Sequence, residues 1–446
     1  MPTELQLLLA ITSGIVLLLV LIIKVRLNAF LSLLIASITI GLLGGVPPDE
    51  IAGVIGKGMG DTLAFVATIV GLGTLFGAIL EHSGGARQLA RFLLNRTGEE
   101  RAPLALILSG FIVAIPVFFD VAFIILFPVI QALSRRLRKP LVVFALPLLA
   151  GIAITHSFIP PTPGPVAVAD ILQVDLGWMI LLGLPVGLPT ALLCGLVVAQ
   201  RLTARFAYED DAPAPEVTPA QTADLVLLTH VAILLPIGLM VMSAVLNTLI
   251  DAGTVAPFAG LDLLLLIGHP FSALILATLF AVYVLGRRAQ LTRDQLFEIS
   301  NDALAPAGAI ILITGAGGVL KEMLITTGIG ALIAEQMATS SVSLLILAYV
   351  VSALVRVLQG SATIAMITGA GIVGPVLAVL PDYGVVDTTL IALAIAAGSV
   401  IASHVNDSGF WLVNRFLQQE VTDTLRTWTV LSTAISLCGF AMILLL

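Results

Sequence analysis

Two stretches of this chain, 141–169 and 390–416, begin as apolar helices and then lose helix-compatible sequence where a membrane span has to continue. The first reads LVVFALPLLAGIAITHSFIPPTPGPVAVA and the second LIALAIAAGSVIASHVNDSGFWLVNRF. Each passes through Ala-Gly and reaches a histidine, His156 or His404. Pro160, Pro161, Pro163 and Pro165 cannot all lie inside one helix, because each lacks an N–H and clashes with the preceding turn. Non-helical backbone at membrane depth is tolerated only where protein buries it or a watery cavity receives its polar groups. Interrupted spans in the two halves of a chain point to the binding site of a secondary transporter. A carrier is the expected class.

Composition fixes the solvent. The 446 residues are 59% hydrophobic and 11% charged, with mean hydropathy +1.13. Soluble domains carry about a quarter charged residues, so the chain reads as an all-α polytopic membrane protein. No basic stripe exists to grip phosphates, which removes nucleic acid as a partner. At the N-terminus, Lys24 and Arg26 follow the first apolar run rather than precede it. That order describes an uncleaved first span with its N-terminus outside. Cys194 and Cys438 lie in apolar runs and read as small core hydrophobes.

Runs long enough to span fall near 5–23, 28–45, 62–81, 177–200, 224–250, 262–286, 303–322 and 425–446, and the two broken helices complete ten crossings. The stretches 104–134 and 344–379 are apolar at both ends and interrupted midway, by Pro116-Val-Phe-Phe-Asp120 and Gln359-Gly-Ser-Ala-Thr363. Each is too long for one span of about 20 residues and too short for two, so each reads as a re-entrant hairpin. With these hairpins counted as non-crossing, every Lys and Arg except Lys57, Lys321 and Arg356 falls in a cytoplasmic segment. This bias supports an orientation with both termini periplasmic.

The two halves match in order. Asp61, Gly77 and Glu81 align with Asp302, Gly318 and Glu322 at an offset of 241, His156 with His404 at 248, and Cys194-Gly195 with Cys438-Gly439 at 244. Five crossings per half make the second copy inverted. The expected organisation is a first inverted repeat over 1–205, a Pro- and acid-rich cytoplasmic linker over 206–223, and a second inverted repeat over 224–446.

Ionisable groups at membrane depth are costly and functional by default. Asp120 sits at the first hairpin tip, Asp407 at the second break, and His156 and His404 beside the breaks. All four are candidates for carrying a coupling proton. Each carboxylate also has a plainer reading as a helix cap, and each histidine as a packing hydrogen bond. Broken helices expose N-termini that suit an anion. Ser157, Thr162, Gly164, Gly360, Ser361, Thr363, Asn406 and Ser408 supply small polar groups and close backbone approach for a polyhydroxylated ligand. Arg356, about two turns before the second tip, is a candidate for a carboxylate, with snorkelling or an internal ion pair as alternatives. Lys321-Glu322 reads as an interfacial ion pair at a helix end. Gly58-Met-Gly-Asp61 matches the GxGD motif of intramembrane aspartyl proteases, but the required second aspartate in a Tyr-Asp setting is missing. No HExxH or P-loop occurs, so uphill transport has to draw on an ion gradient.

The stretches His156-Ser-Phe-Ile-Pro-Pro-Thr-Pro-Gly-Pro165, Ser403-His-Val-Asn-Asp-Ser-Gly-Phe-Trp411, Phe118-Phe-Asp120 and Gln359-Gly-Ser-Ala-Thr363 resemble the gluconate permease family of the ion transporter superfamily. The resemblance runs the whole length, and SHVNDSGFW is its more specific part. It implies proton symport of gluconate or a related sugar acid across a bacterial inner membrane. It also implies a homodimer in which a transport domain slides as an elevator against a scaffold. The chain departs from the family pattern at Thr162, where many members carry His. A sodium-coupled carboxylate carrier is the nearest alternative, with Ser361 and Thr363 as cation ligands. An intramembrane hydrolase and a channel are the alternatives from other classes.

Overall fold

The computed structural model describes residues 3–207, 223–256, 258–332, 343–380 and 383–446. Most of the expected 206–223 linker lies outside these residues. All regular structure among them is helical. Eight helices are long and apolar enough to cross a membrane, and four shorter apolar helices of 10–17 residues accompany them.

The expected spans at 62–81 and 303–322 are the inner parts of two 35-residue helices, Pro48–His82 and Arg293–Thr327. At 1.5 Å per residue each is about 52 Å long, well beyond the hydrocarbon core. Apolarity limits the membrane-embedded part of a helix, not the helix itself. Pro48 at the first helical position starts one, with Asp49 and Glu50 in its first turn. A Thr292–Gln295 capping box starts the other. The two cross where Gly58 meets Gly318. A Cβ on Gly58 would lie 2.7 Å from the Gly318 carbonyl oxygen, so only glycine allows this backbone contact. Lys57 on the first helix pairs with Glu322 on the second at 2.6 Å. The ion pair expected for Glu322 is therefore between helices. Adjacent residues such as Lys321 and Glu322 point about 100° apart on a helix and do not face each other.

The expected span at 262–286 is divided into Leu261–Gly268 and Pro270–Phe280. Pro270 disfavours helical backbone at His269, which turns extended and caps the second piece by accepting from the Phe271 N–H.

Both interrupted apolar stretches fold back on themselves. The first hairpin has arms Ala102–Val113 and Phe119–Leu137, and the second Leu344–Gln359 and Ala362–Leu377. The first broken helix runs Leu141–Phe158 and Pro163–Leu172, with a cis bond between Pro160 and Pro161. The second runs Val385–Gly398 and Ser408–Phe416. Every residue from Ser157 to Ala169, across the first break, is buried. Its irregular backbone is thus wrapped in protein, as a low-dielectric environment requires. The halves are stitched together by aromatic contacts. Phe416, beyond the second break, meets Phe127 and Phe123 of the first hairpin edge-on, with ring centroids 4.8 and 5.7 Å apart.

Gly318→Leu is expected to force the two long helices apart and to lower the thermal midpoint of the detergent-solubilised protein by several degrees, the signature of about 1–3 kcal/mol of overpacking. Gly56→Leu on the opposing long helix, on the face turned away from the crossing, opens onto free space and is expected to leave that midpoint unchanged.

Candidate functional site

Three helices begin at one cavity. It has a volume of about 300 Å³. The first turns of Phe119–Leu137, Ala362–Leu377 and Ser408–Phe416 all line it, through Phe118 to Asp120, Ser361 to Ile364, and Asp407 to Gly409. Each helix N-terminus presents first-turn N–H groups that have no partner within the helix, and the positive end of its dipole. Their convergence suits the cavity to an anion. His156 and Ser157 enter from the end of Leu141–Phe158, and Trp428 from the last span. Ile310 and Ile313 of the long helix Arg293–Thr327 close the remaining wall with hydrocarbon.

The second hairpin tip and the second break are one construction. Gly360 ends Leu344–Gln359 in a left-handed turn with φ of 93°, a conformation that glycine reaches without strain. A side chain there would also collide with the backbone of Asn406. Asn406 Nδ2 and His404 Nε2 both lie 3.0 Å from the Val357 carbonyl oxygen, which ties the break to the hairpin. Ser361 then caps the returning arm, its Oγ accepting from the Ile364 N–H at 3.4 Å.

Arg356 is 4% exposed. Its Nη2 donates to Asp407 Oδ2 at 2.5 Å, and its Nη1 to the Gly360 carbonyl. Asp407 Oδ1 accepts from the Gly409 N–H at 3.0 Å, and Oδ2 also accepts from the Ser403 hydroxyl. Asp407 is therefore both a helix cap and one member of a buried ion pair. Arg356 has five N–H donors, and its Nε–H has no protein acceptor.

Asp120 is the opposite case. It lies in the first turn after the first tip, lines the cavity and stays exposed. No hydrogen bond or ion pair engages it among the described residues. Phe118 caps that helix without a side-chain bond, so Asp120 does not serve as a cap. Ser157, Thr363 and Ser408 also line the cavity with hydroxyls that have no protein partner among the described residues. His156 sits beside Phe119, with ring centroids 6.4 Å apart, and its Nδ1 is buried without a partner.

Of the residues singled out from the sequence, Asp120, His156, Ser157, Arg356, Ser361, Thr363, Asp407 and Ser408 meet at this cavity. Five others do not line it. Gly360, His404 and Asn406 hold the hairpin to the break, as described. The Thr162 hydroxyl lies 2.9 and 2.8 Å from the His156 and Ile159 carbonyls, closing the end of the preceding helix. Gly164 packs against Met366. Phe118, Phe119 and Ser403 lie in stretches that carry the family resemblance but are given no role by the sequence, and Trp428 goes unmarked there. Ser403 lies inside the SHVNDSGFW stretch, one position before a histidine that drew attention for being titratable.

Comparison with known proteins extends these observations. A family model described as GntP family permease matches residues 5–446. The low-affinity gluconate transporter of Escherichia coli (strain K12) is 36% identical over 444 residues, covering 98% of this chain and 97% of that protein. The gluconate permease of Pseudomonas aeruginosa is 38% identical over 437 residues, 96% of this chain and 95% of its own. The Gnt-II system L-idonate transporter of Escherichia coli (strain K12) is 34% identical over 443 residues, 98% of each chain. The crystal structure of the Alcanivorax borkumensis YdaH transporter superposes with a TM-score of 0.63 at 15% identity over 89% of each chain, a likeness of fold.

Removing one member of a buried ion pair leaves an uncompensated charge and costs about 3–5 kcal/mol. Arg356→Met and Asp407→Leu are each expected to lower the thermal midpoint strongly. The double variant is expected to recover most of the loss, because a neutral pair of similar volume leaves no charge stranded. A double-mutant cycle of melting temperatures in detergent checks this.

Proposed function

The chain belongs to the GntP family of permeases, and from that premise we propose that it is a proton-coupled symporter of gluconate or a closely related small hydroxylated carboxylate. It is a multi-pass membrane transporter, not an enzyme. The observation that carries the reading is the pairing of one compensated cation with one free carboxylate in the same cavity. Arg356 and the three helix N-termini attract a carboxylate, while Ser157, Thr363 and Ser408 offer hydroxyls to a polyol chain. Asp120 is the group free to take a proton.

Charge balance links the two events. Arg356 and Asp407 cancel, so with Asp120 ionised and His156 neutral the lining carries one net negative charge. A bound monocarboxylate adds a second at short range in a poorly screened site, which is unfavourable. Protonation of Asp120 restores the original net charge. One proton per monocarboxylate is the stoichiometry this arithmetic favours. In this reading Asp120 is the coupling group, His156 its neighbour, and Asp407 holds Arg356.

Alternating access follows an elevator in the same proposal. Polar lining comes from the hairpins and breaks, and the apolar wall from a long helix, which supports a transport domain moving against a scaffold. The recurring order of long helix, hairpin, broken helix and last span in each half supports two inverted repeats. The distribution of Lys and Arg supports periplasmic termini and a cytoplasmic linker, in the plasma membrane of a bacterium. A homodimer completes the reading, on the family resemblance.

The test is gluconate uptake into proteoliposomes under an imposed inward proton gradient without Na⁺. Accumulation that a protonophore abolishes is the expected result. Asp120→Asn is expected to lose accumulation while retaining gluconate counterflow, since exchange needs binding but no net proton movement. Accumulation at the wild-type level in Asp120→Asn, or a strict requirement for Na⁺, would overturn the assignment.

A further inference from the structure

The last span grips the second break at a single residue. Trp428 Nε1 donates to Ser403 Oγ at 2.6 Å, and Ser403 Oγ donates onward to Asp407 Oδ2. The backbone of Ser403 is held from the same span. Its N–H donates to Ser432 Oγ at 3.0 Å, and its carbonyl accepts from Thr429 Oγ1 at 2.5 Å. Ser403 is 1% exposed and Trp428 3%. Trp428 and Thr429 belong to a π-helical turn, Leu425–Thr429, a distortion that is rare and concentrated at functional positions. The ring of Trp428 also lines the cavity and lies 5.5 Å from that of Phe119.

We infer that Ser403, held by Trp428, Thr429 and Ser432, is a positioning residue that sets the affinity of the site for a carboxylate by fixing Asp407 and, through it, the guanidinium of Arg356. The inference rests on the reading of Arg356 as the carboxylate ligand. The geometry is a chain with one direction. The indole N–H has no acceptor capacity, so the Ser403 hydroxyl accepts from it and has its own proton free for Asp407. A hydroxyl polarised in this way is a stronger donor to a carboxylate. Both Ser403 and Arg356 bond the same oxygen, Oδ2, while Oδ1 belongs to the Gly409 N–H. Asp407 thus has no freedom to rotate, and Arg356 cannot swing away from the cavity to follow it. Ser403 itself does not line the cavity, so its effect on a substrate passes through Arg356.

Two measurements decide it. Gluconate counterflow in proteoliposomes gives KM and Vmax for Ser403→Ala, Ser403→Thr and Trp428→Phe. Ser403→Ala is expected to raise KM about tenfold with Vmax within about twofold of wild type, and Ser403→Thr, which keeps the hydroxyl, to return KM towards wild type. Trp428→Phe, which keeps the ring, is expected to raise KM by a smaller factor in the same direction, and it carries the test if Ser403→Ala does not fold. A fall in Vmax at unchanged KM would mean that Ser403 only supports the fold, and would overturn the inference. The second measurement needs no substrate. Labelling by phenylglyoxal, read at Arg356 by mass spectrometry, is expected to be several-fold faster in Ser403→Ala than in wild type, because the guanidinium is no longer pinned. Unchanged labelling would overturn the positioning role. If wild-type protein moves no gluconate while the labelling still rises, the substrate reading falls and the Ser403–Asp407–Arg356 linkage stands.

Discussion

Everything at the cavity depends on the buried pair of Arg356 and Asp407. Taking two charges out of water costs more than a single contact returns, so such a pair persists only when its remaining donors and acceptors are bonded as well. Apart from the Arg356 Nε–H, which has no protein acceptor, the bonds come from groups that also define the local backbone: the Gly360 carbonyl at a hairpin tip, the Gly409 N–H at a helix start, and the Ser403 hydroxyl in the break. The pair thereby joins two pieces of chain that are each too irregular to be stable alone. It also explains the glycine at 360, since any side chain would separate the tip from the Asn406 backbone and pull the ion pair apart.

The two breaks look alike in sequence and differ in physics. In the second, the polar groups face each other and the charge is neutralised internally. In the first, proline geometry does the work, and Thr162 spends its hydroxyl on the carbonyls of the helix it follows. Asp120 then stands beside the first break with no cation to answer it. The second half supplies a fixed cation to the cavity and the first a carboxylate with no such partner.

This division was only partly legible in the sequence. Proline clusters and mid-run polar motifs are local signals, so the helix interruptions are readable close to where the structure places them. The 35-residue helices are not, because hydropathy reports where lipid is and says nothing of a helix that continues into water. The convergence of Asp120, His156, Arg356 and Asp407 was anticipated from their shared depth. Which of them are paired was not, because ion pairing is decided by side-chain direction across elements more than fifty residues apart. Trp428 was invisible for a related reason. It sits in what reads as a plain apolar span, and only a π-helical turn and a partner in the second break give it a role.

A transporter has to release what it binds, and that requirement gives the pre-paired arginine a physical purpose. A bare guanidinium in a poorly screened cavity would hold a carboxylate through two charge-assisted bonds and let go slowly. Arg356 already spends part of its charge on Asp407 and part of its hydrogen bonding on Gly360, so in the proposed reading a substrate receives only the remainder. The helix N-termini add attraction in small, distributed amounts, each about 0.3–1 kcal/mol, that no single bond has to break at once. In the proposed reading, affinity assembled this way selects an anion and still lets it leave. In the proposed cycle the remaining control is the proton: with Asp120 neutral the anion is tolerated, and once the proton leaves, the restored carboxylate repels the substrate from a site that was never strongly cationic.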